Sequence, residues 1–525
     1  MASQPVCAVC AAVDVDRCVR CQAVYYCSKR CQKMHWRSSH RRRCIPAAER
    51  AAFNTPANAT RLGRAVRRGD EALAAELTLR GADVNFRDPR TNATCLYVAA
   101  MNGHLAIVND LLDAGADKEL TRNDGSAALH IAAQEGREAC VRALLDAGAN
   151  KDRAAAGTGI TPLIIAVMAG QDAIVRVLID AGVDKELAKE DGSTALFVAA
   201  QKGQAAIVRT LLDAGADKDA AEEHGCTPLR IAAQNGNDAI VRALLDAGAD
   251  KEKPTVDGGT ALFIAVQQGH DAVVRTLLDA GATPHLVKRD DGYTPLHSAA
   301  RWGRTAIARM LLDADVAKDL KDTEDATPLL IAAEKGFGEI VRMLIDAGAN
   351  KILGRTPGTI PLYMAARNGH DATVRVLLNA GADKDADDNV IVTEDGATAL
   401  HVAATMGCDT VVRTLIEFGF DKDRGMKDGF TPLHLAAQQK REAVVRALVD
   451  AGADVTKECG GALGLGKTAI DLASTTAHWK IRQMLTGGTT LRTVDADADA
   501  HADAHADADA DAFAELVRSK LHASS

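Results

Sequence analysis

A chain of 525 residues has the length of three or four globular domains, yet only 3% of it is aromatic, too few rings for the core of a large enzyme. The hydrophobic 47% is mainly Ala, Leu and Val, which suits small helices packed closely along the chain rather than one large core. A net charge of −9 conceals a basic start, with ten Lys/Arg against three Asp/Glu in residues 1–50; the acidic remainder argues against nucleic-acid binding by most of the chain. No stretch approaches the ~18 uninterrupted apolar residues of a membrane span, and no basic segment leads into a long apolar one at the start. The expectation is a soluble, reduced, intracellular protein, cytoplasmic or nuclear, without a membrane anchor.

Seven of the twelve cysteines, Cys7, Cys10, Cys18, Cys21, Cys27, Cys31 and Cys44, fall in the first 44 residues, a clustering that argues for metal rather than disulfides. With His40 they make eight donors, enough to fill two tetrahedral Zn²⁺ sites. A segment of this size cannot bury enough apolar surface to fold unaided, so metal binding is expected to supply most of its folding free energy. In a cross-braced arrangement alternate ligand pairs share an ion: Cys7, Cys10, Cys27 and Cys31 would hold the first zinc, and Cys18, Cys21, His40 and Cys44 the second. The segment from Ser28 to Cys44 has helix-like spacing, which puts His40 and Cys44 on one face. No coordination position is left for water or substrate, so both ions are read as structural.

The spacing C-x2-C-x7-C-x2-C-x5-C-x3-C-x8-H-x3-C, with Tyr25-Tyr26-Cys27-Ser28-Lys29 and Cys31-Gln32 leading to Trp36, resembles a MYND-type zinc finger over residues 7–44. His40 lies one residue further past Trp36 than the family's commonest spacing, but it keeps x3 to Cys44 and is preferred to His35. The resemblance implies that the finger binds short proline-containing peptides, with Gln32 and Trp36 as its contact residues. An exposed indole can stack on a proline ring while a side-chain amide bonds the extended peptide backbone. The run Arg41-Arg42-Arg43 is read as a solvated helix end.

After a linker (46–59), residues 60–486 repeat. The leucines Leu96, Leu129, Leu163, Leu196, Leu229, Leu262, Leu296, Leu329, Leu362, Leu400 and Leu433 recur every 33 or 34 residues, with one step of 38. Each unit reads as an Asp-Gly turn, a helix opened by Thr-Pro or Thr-Ala, a glycine break, and a second helix of the form AIVRALLDAGA. Pro at the first helical position costs nothing there, and in the second helix Val141, Leu144 and Leu145 share one face ahead of the stop at Gly148. One such pair cannot bury its apolar side alone; stacking does so.

The pattern resembles ankyrin repeats, with Thr-Pro-Leu-His in full at Thr294–His297 and Thr431–His434. Eleven good units and two degraded ends, around Leu62 and Thr468–Ala473, are expected to form a mainly α, monomeric solenoid. Extra residues around Asp385–Glu394 and Lys457–Leu465 are expected to lengthen two fingers. The resemblance implies protein binding through the finger tips and the first-helix face, where the pair before each breaking glycine varies. Arg301-Trp302 stands out there as a candidate hot spot. His130, His297, His401 and His434, at the signature position, are expected to bond neighbouring loops rather than hold metal.

Gly461–Thr468 fits the phosphate-loop pattern G-x4-G-K-[ST], but the repeat register already accounts for Lys467-Thr468, so no nucleotide or other small-molecule substrate is expected. Residues 487–512, rich in alternating Asp and Ala with His501 and His505, read as a solvated spacer, and 513–525 as a short amphipathic tail. With the finger at 1–45 and the repeats at 60–486, no room is left for a catalytic domain. The chain therefore reads as a non-catalytic, zinc-binding adaptor for proteins and short peptides. The alternatives are a regulatory or substrate-targeting subunit of a phosphatase or ubiquitin ligase, and a transcriptional co-regulator.

Overall fold

The computed structural model describes residues 51–288, 290–356, 360–382, 392–460, 466–473 and 479–486, together with the backbone of two short strands, β1 (Asp16–Arg17) and β2 (Tyr25–Tyr26). These strands pair antiparallel, Asp16 opposite Tyr26 and Arg17 opposite Tyr25. All eight expected zinc ligands, Gln32, Trp36 and the segments from 487 onward lie outside the described residues.

Two compact units divide the chain at Asp250 and Lys251. The first holds six helix pairs: α1 (Pro56–Arg68) with α2 (Glu71–Arg80), α3 (Cys95–Asn102) with α4 (Leu105–Asp113), α5 (Ala128–Gln134) with α6 (Glu138–Asp146), α7 (Pro162–Ala169) with α8 (Asp172–Asp180), α9 (Ala195–Gln201) with α10 (Ala205–Asp213), and α11 (Pro228–Gln234) with α12 (Asp238–Asp246). The second unit holds six more: α13 (Ala261–Gln268) with α14 (Asp271–Asp279), α15 (Pro295–Trp302) with α16 (Thr305–Asp313), α17 (Pro328–Lys335) with α18 (Gly338–Asp346), α19 (Pro361–Arg367) with α20 (Asp371–Asn379), α21 (Ala399–Met406) with α22 (Asp409–Glu417), and α23 (Pro432–Gln438) with α24 (Glu442–Asp450). It ends on β3 (Glu458–Cys459), β4 (Lys467–Thr468), α25 (Ala469–Leu472) and α26 (Trp479–Leu485).

Local chemistry sets the helix ends. Thr161, Thr227, Thr294, Thr327 and Thr431 each cap a first helix, accepting the backbone N–H three residues on at 3.2–3.4 Å, with proline following at the first helical position. Second helices bury one stripe, as Val141 and Leu144 do in α6, and lace the other with i,i+4 ion pairs such as Glu138–Arg142 at 2.8 Å. Most stop at an Ala-Gly step whose glycine, Gly148 in α6, takes a φ of 75°.

Within each unit first helices pack on first helices and second helices on second helices, so every interior pair is buried from both sides. The amino-terminal boundary differs from the expected one. α1 begins at Pro56 under a Thr55 cap, so residues 56–59, expected in the linker, form its first turn. At the other end Thr468 caps α25 and bonds Asp471, and Lys467 lies in β4, so the phosphate-loop pattern ends in a strand and a helix cap.

Candidate protein-binding face of the repeats

Four histidines tie one finger to the next. The Nδ1 atoms of His130, His297, His401 and His434 accept the backbone N–H three residues earlier at 3.1–3.3 Å. Their Nε2 atoms bond the carbonyls of Ile160, Ala326, Phe430 and Lys467 at 3.1–3.2 Å, 29 to 33 residues away. An accepting Nδ1 requires the proton on Nε2, so this network assigns a neutral imidazole. Burial agrees, lowering the pKa of all four and holding His401 at about 4. These are the loop-bridging roles expected for the signature histidines.

Two further ladders fix the fingers. Side chains of Asn85, Glu119, Asp152, Glu186 and Asp219 in the first unit, and of Glu252, Asp319 and Asp423 in the second, each accept a backbone N–H of the following repeat at 2.7–3.0 Å. The residue opening a second helix lies over the glycine that ended the first helix one repeat earlier. From there Arg137, Gln171, Arg304, His370 and Arg441 donate to the carbonyls of Met101, Gln134, Gln267, Glu334 and Thr405 at 2.9–3.2 Å. These carbonyls belong to helix ends, where no intrahelical donor remains. Lys151 and Lys351 cap second-helix ends through Ala181 O and Ala380 O, where a cation also meets the negative end of the helix dipole.

On this rigid frame the structure brings Arg301 and Trp302 to the last turn of α15, and they face different tasks. Trp302 leaves 51% of its surface open. Arg301 Nη1 instead donates to Tyr293 Oη at 2.8 Å, with its guanidinium 5.7 Å from the Tyr293 ring centre. Tyr293 in turn stacks on His297 at 5.4 Å, and burial raises its pKa against the pull of Arg301. Next to Trp302, the position that carries a donor in neighbouring repeats is Phe337, whose ring lies against Gly303. The face thus combines an open indole, a phenyl ring lying against the adjoining Gly303 and a guanidinium held by a tyrosine. Met406, in the same register as Trp302, is 41% exposed on α21.

Sequence reasoning did not single out Tyr293 or Phe337. The signal for Tyr293 was its place directly before Thr294-Pro295-Leu296-His297, and for Phe337 a phenyl ring where its counterparts are Arg, Gln, His, Asn or Cys. Among the described residues no group of three or more His, Cys, Asp or Glu is placed to hold a metal ion. No helix among them is long and apolar enough to cross a membrane.

Short helix pairs recurring every 33 or so residues, with stiffened fingers and a variable outer face, define a repeat-built binding protein. The family model for ankyrin repeats (3 copies) matches residues 62–155, 153–222, 229–322, 315–388 and 362–459, and the chain belongs to the ankyrin-repeat family. The model for the MYND finger matches residues 7–44. In that amino-terminal region the chain is similar to ubiquitin carboxyl-terminal hydrolase 16 of Arabidopsis thaliana, at 50% identity over 42 residues, 8% of this chain and 4% of the hydrolase. It is also similar there to ubiquitin carboxyl-terminal hydrolase 15 of the same organism, at 43% over 54 residues, 9% and 6% of the two chains. The chain therefore spans no more than 6% of the length of either relative. The crystal structure of the ankyrin repeat domain of Bcl-3, described as a unique member of the IkappaB protein family, is 29% identical with a TM-score of 0.38. It covers 42% of this chain and 99% of its own. The two matched modules are interaction modules, one of them a zinc finger.

Proposed function

We propose that this protein is a non-catalytic adaptor in which the finger captures a short proline-containing peptide and the repeats hold a second protein. The observation that carries the reading is one chain bearing a zinc-finger interaction module beside a repeat stack that exposes an indole, Trp302, next to an Arg301 held by Tyr293. Two ions fit the donor set, since seven thiols and one imidazole divide into two tetrahedral groups of four. Cys7, Cys10, Cys27 and Cys31 would hold one zinc, and Cys18, Cys21, His40 and Cys44 the other. The metal supplies rigidity, while Gln32 and Trp36 supply the peptide contacts. Trp302 with Phe337 supplies the apolar anchor for the second protein, and Arg301, steadied by Tyr293, supplies a fixed charge beside it. Two sites on one chain raise the effective concentration of each ligand for the other. The chain works inside the cell, as a monomer, in cytoplasm or nucleus.

A second reading, an enzyme's regulatory or targeting subunit, draws support from the finger's likeness to two ubiquitin carboxyl-terminal hydrolases. Zinc content and peptide binding of the Gln32→Ala/Trp36→Ala chain test the first reading. Two bound ions with lost affinity for proline-containing peptides is the expected result; loss of zinc would make the pair structural instead.

A further inference from the structure

One repeat lacks a side chain that its neighbours all possess. The residue after the anchor leucine of a first helix fills the space between that helix and the next finger. In the first unit this residue is Tyr97, His130, Ile164, Phe197 or Arg230, and the first four are buried. In α1 the same register holds Gly63, within a helix and free of positive φ. A Cβ built there meets no heavy atom within 4 Å.

The result is an open-mouthed cavity of about 250 Å³ between α1, the finger at 86–94 and the start of α3. Phe86, Cys95 and Val98 give it an apolar floor, while Arg64, Arg67 and Asp88 stand among its lining residues. Asp88 is already engaged: it takes Arg67 Nη2 at 2.9 Å and the Arg90 backbone N–H at 2.8 Å, bonds that hold its pKa low. Arg64 has no acceptor among the described residues and is exposed. The rim is therefore positive by one charge, its one carboxylate already taken by Arg67, and the floor has the ring of Phe86 but none supplied by α1.

We propose that this cavity receives, from a partner peptide, the side chain that the other repeats of the unit supply from within, aromatic at Tyr97, His130 and Phe197. The occupant is an acidic peptide segment in which Phe or Tyr enters the hole and an adjacent Asp or Glu pairs with Arg64. The volume supports this choice, because it accommodates a ring and part of a backbone, and the same slot closes over rings at Tyr97, His130 and Phe197. The charge supports it as well, because burying a carboxylate edge beside an unpaired guanidinium forms a charge-assisted bond without stripping a partner from Arg67. The site lies in the first unit and is independent of Trp302.

The test is fluorescence anisotropy of a fluorescein-labelled peptide with a central Glu-Phe-Glu between Gly and Ser spacers, titrated with the full chain. Saturable binding that falls with salt is expected, together with its loss when the peptide's Phe becomes Ala. Gly63→Tyr, which plugs the hole in cis, should weaken binding by at least about tenfold with unchanged circular dichroism. Arg64→Glu, a surface change that does not touch packing, should weaken it by a similar factor, and Trp302→Ala should leave it unaltered. The proposal is overturned by equal binding to the Gly63→Tyr and wild-type chains, by phenylacetate competing as well as the whole peptide, or by no anisotropy change up to about 1 mM protein.

Discussion

Acidification is expected to loosen the second repeat unit well before any carboxylate titrates, and His401 gives the size of the effect. Its ring is 1% exposed, and burial holds its pKa at about 4 against 6.5 in the unfolded chain. Protonating Nδ1 would set a new N–H against the Thr398 N–H and hydroxyl that it faces at 3.2 and 2.9 Å. Because the folded-state value is the lower one, the unfolded chain binds the proton first. Stability is thus full above 6.5 and is lost as pH falls from there towards about 4. Each tenfold difference in proton affinity between the folded and unfolded chain is worth about 1.36 kcal/mol, so this one residue accounts for about 2 kcal/mol of the stability difference between pH 7.5 and pH 5. His297 and His434, lowered by burial in the same unit, add to it in the same direction. Carboxylates with depressed values, such as Asp191 at about 2 and Glu222, contribute mainly below their ordinary values of 3.8 and 4.5, beneath the interval from pH 7.5 to pH 5. Urea unfolding followed by far-UV circular dichroism at the two pH values, for the wild type and His401→Gln, measures the effect. The variant should be the less stable at pH 7.5 but should lose about 2 kcal/mol less on going to pH 5. An equal loss in both proteins would refute the linkage to His401.

Three other perturbations separate the physical terms. Gly63→Ala should stabilise α1 by about 1 kcal/mol, since it removes glycine's helix penalty and its methyl group meets nothing within 4 Å; the thermal midpoint should rise. Gly148→Ala and Gly125→Ala both force alanine to positive φ, at 75° and 77°. Around Gly148 there is open space, whereas at Gly125 the new Cβ would overlap the backbone nitrogen of Ala156, so Gly125→Ala should cost more in urea unfolding, and equal costs would contradict that geometry. Cys27→Ser, or treatment with a zinc chelator, should unfold the finger and leave the helical circular dichroism of the repeats intact, because no residue of the described repeats supplies a metal cluster.

Much of the architecture was legible because it is written locally and many times. Thr-Pro marks a helix start, Ala-Gly a stop, and the leucine period gives thirteen positions that the helices from α1 to α25 occupy. The bridging role of the signature histidines was legible for the same reason. The first helix starts ahead of residue 60 because Thr55-Pro56 repeats the start signal six residues ahead of the degraded anchor Leu62, outside the register of the other units. The Asp/Glu ladder and the donors seated on glycines were not read, since each joins residues 31 to 37 apart whose side chains look like ordinary surface polarity along the chain. The same holds for Arg301: an exposed hot-spot arginine in the sequence, it is partly spent on Tyr293 in three dimensions. The Gly63 cavity could have been found by ranking the residue after each anchor by size, where glycine stands alone among the residues of the first unit.

The account rests on two separable interaction modules on one chain, and affinity capture with mass spectrometry from one cell lysate tests that most directly. The intact protein would be compared with the Gln32→Ala/Trp36→Ala and Arg301→Glu/Trp302→Ala chains. Each variant should lose its own set of partners and keep the other's. Loss of a single common set in both variants, or retention of every partner, would contradict the two-module account.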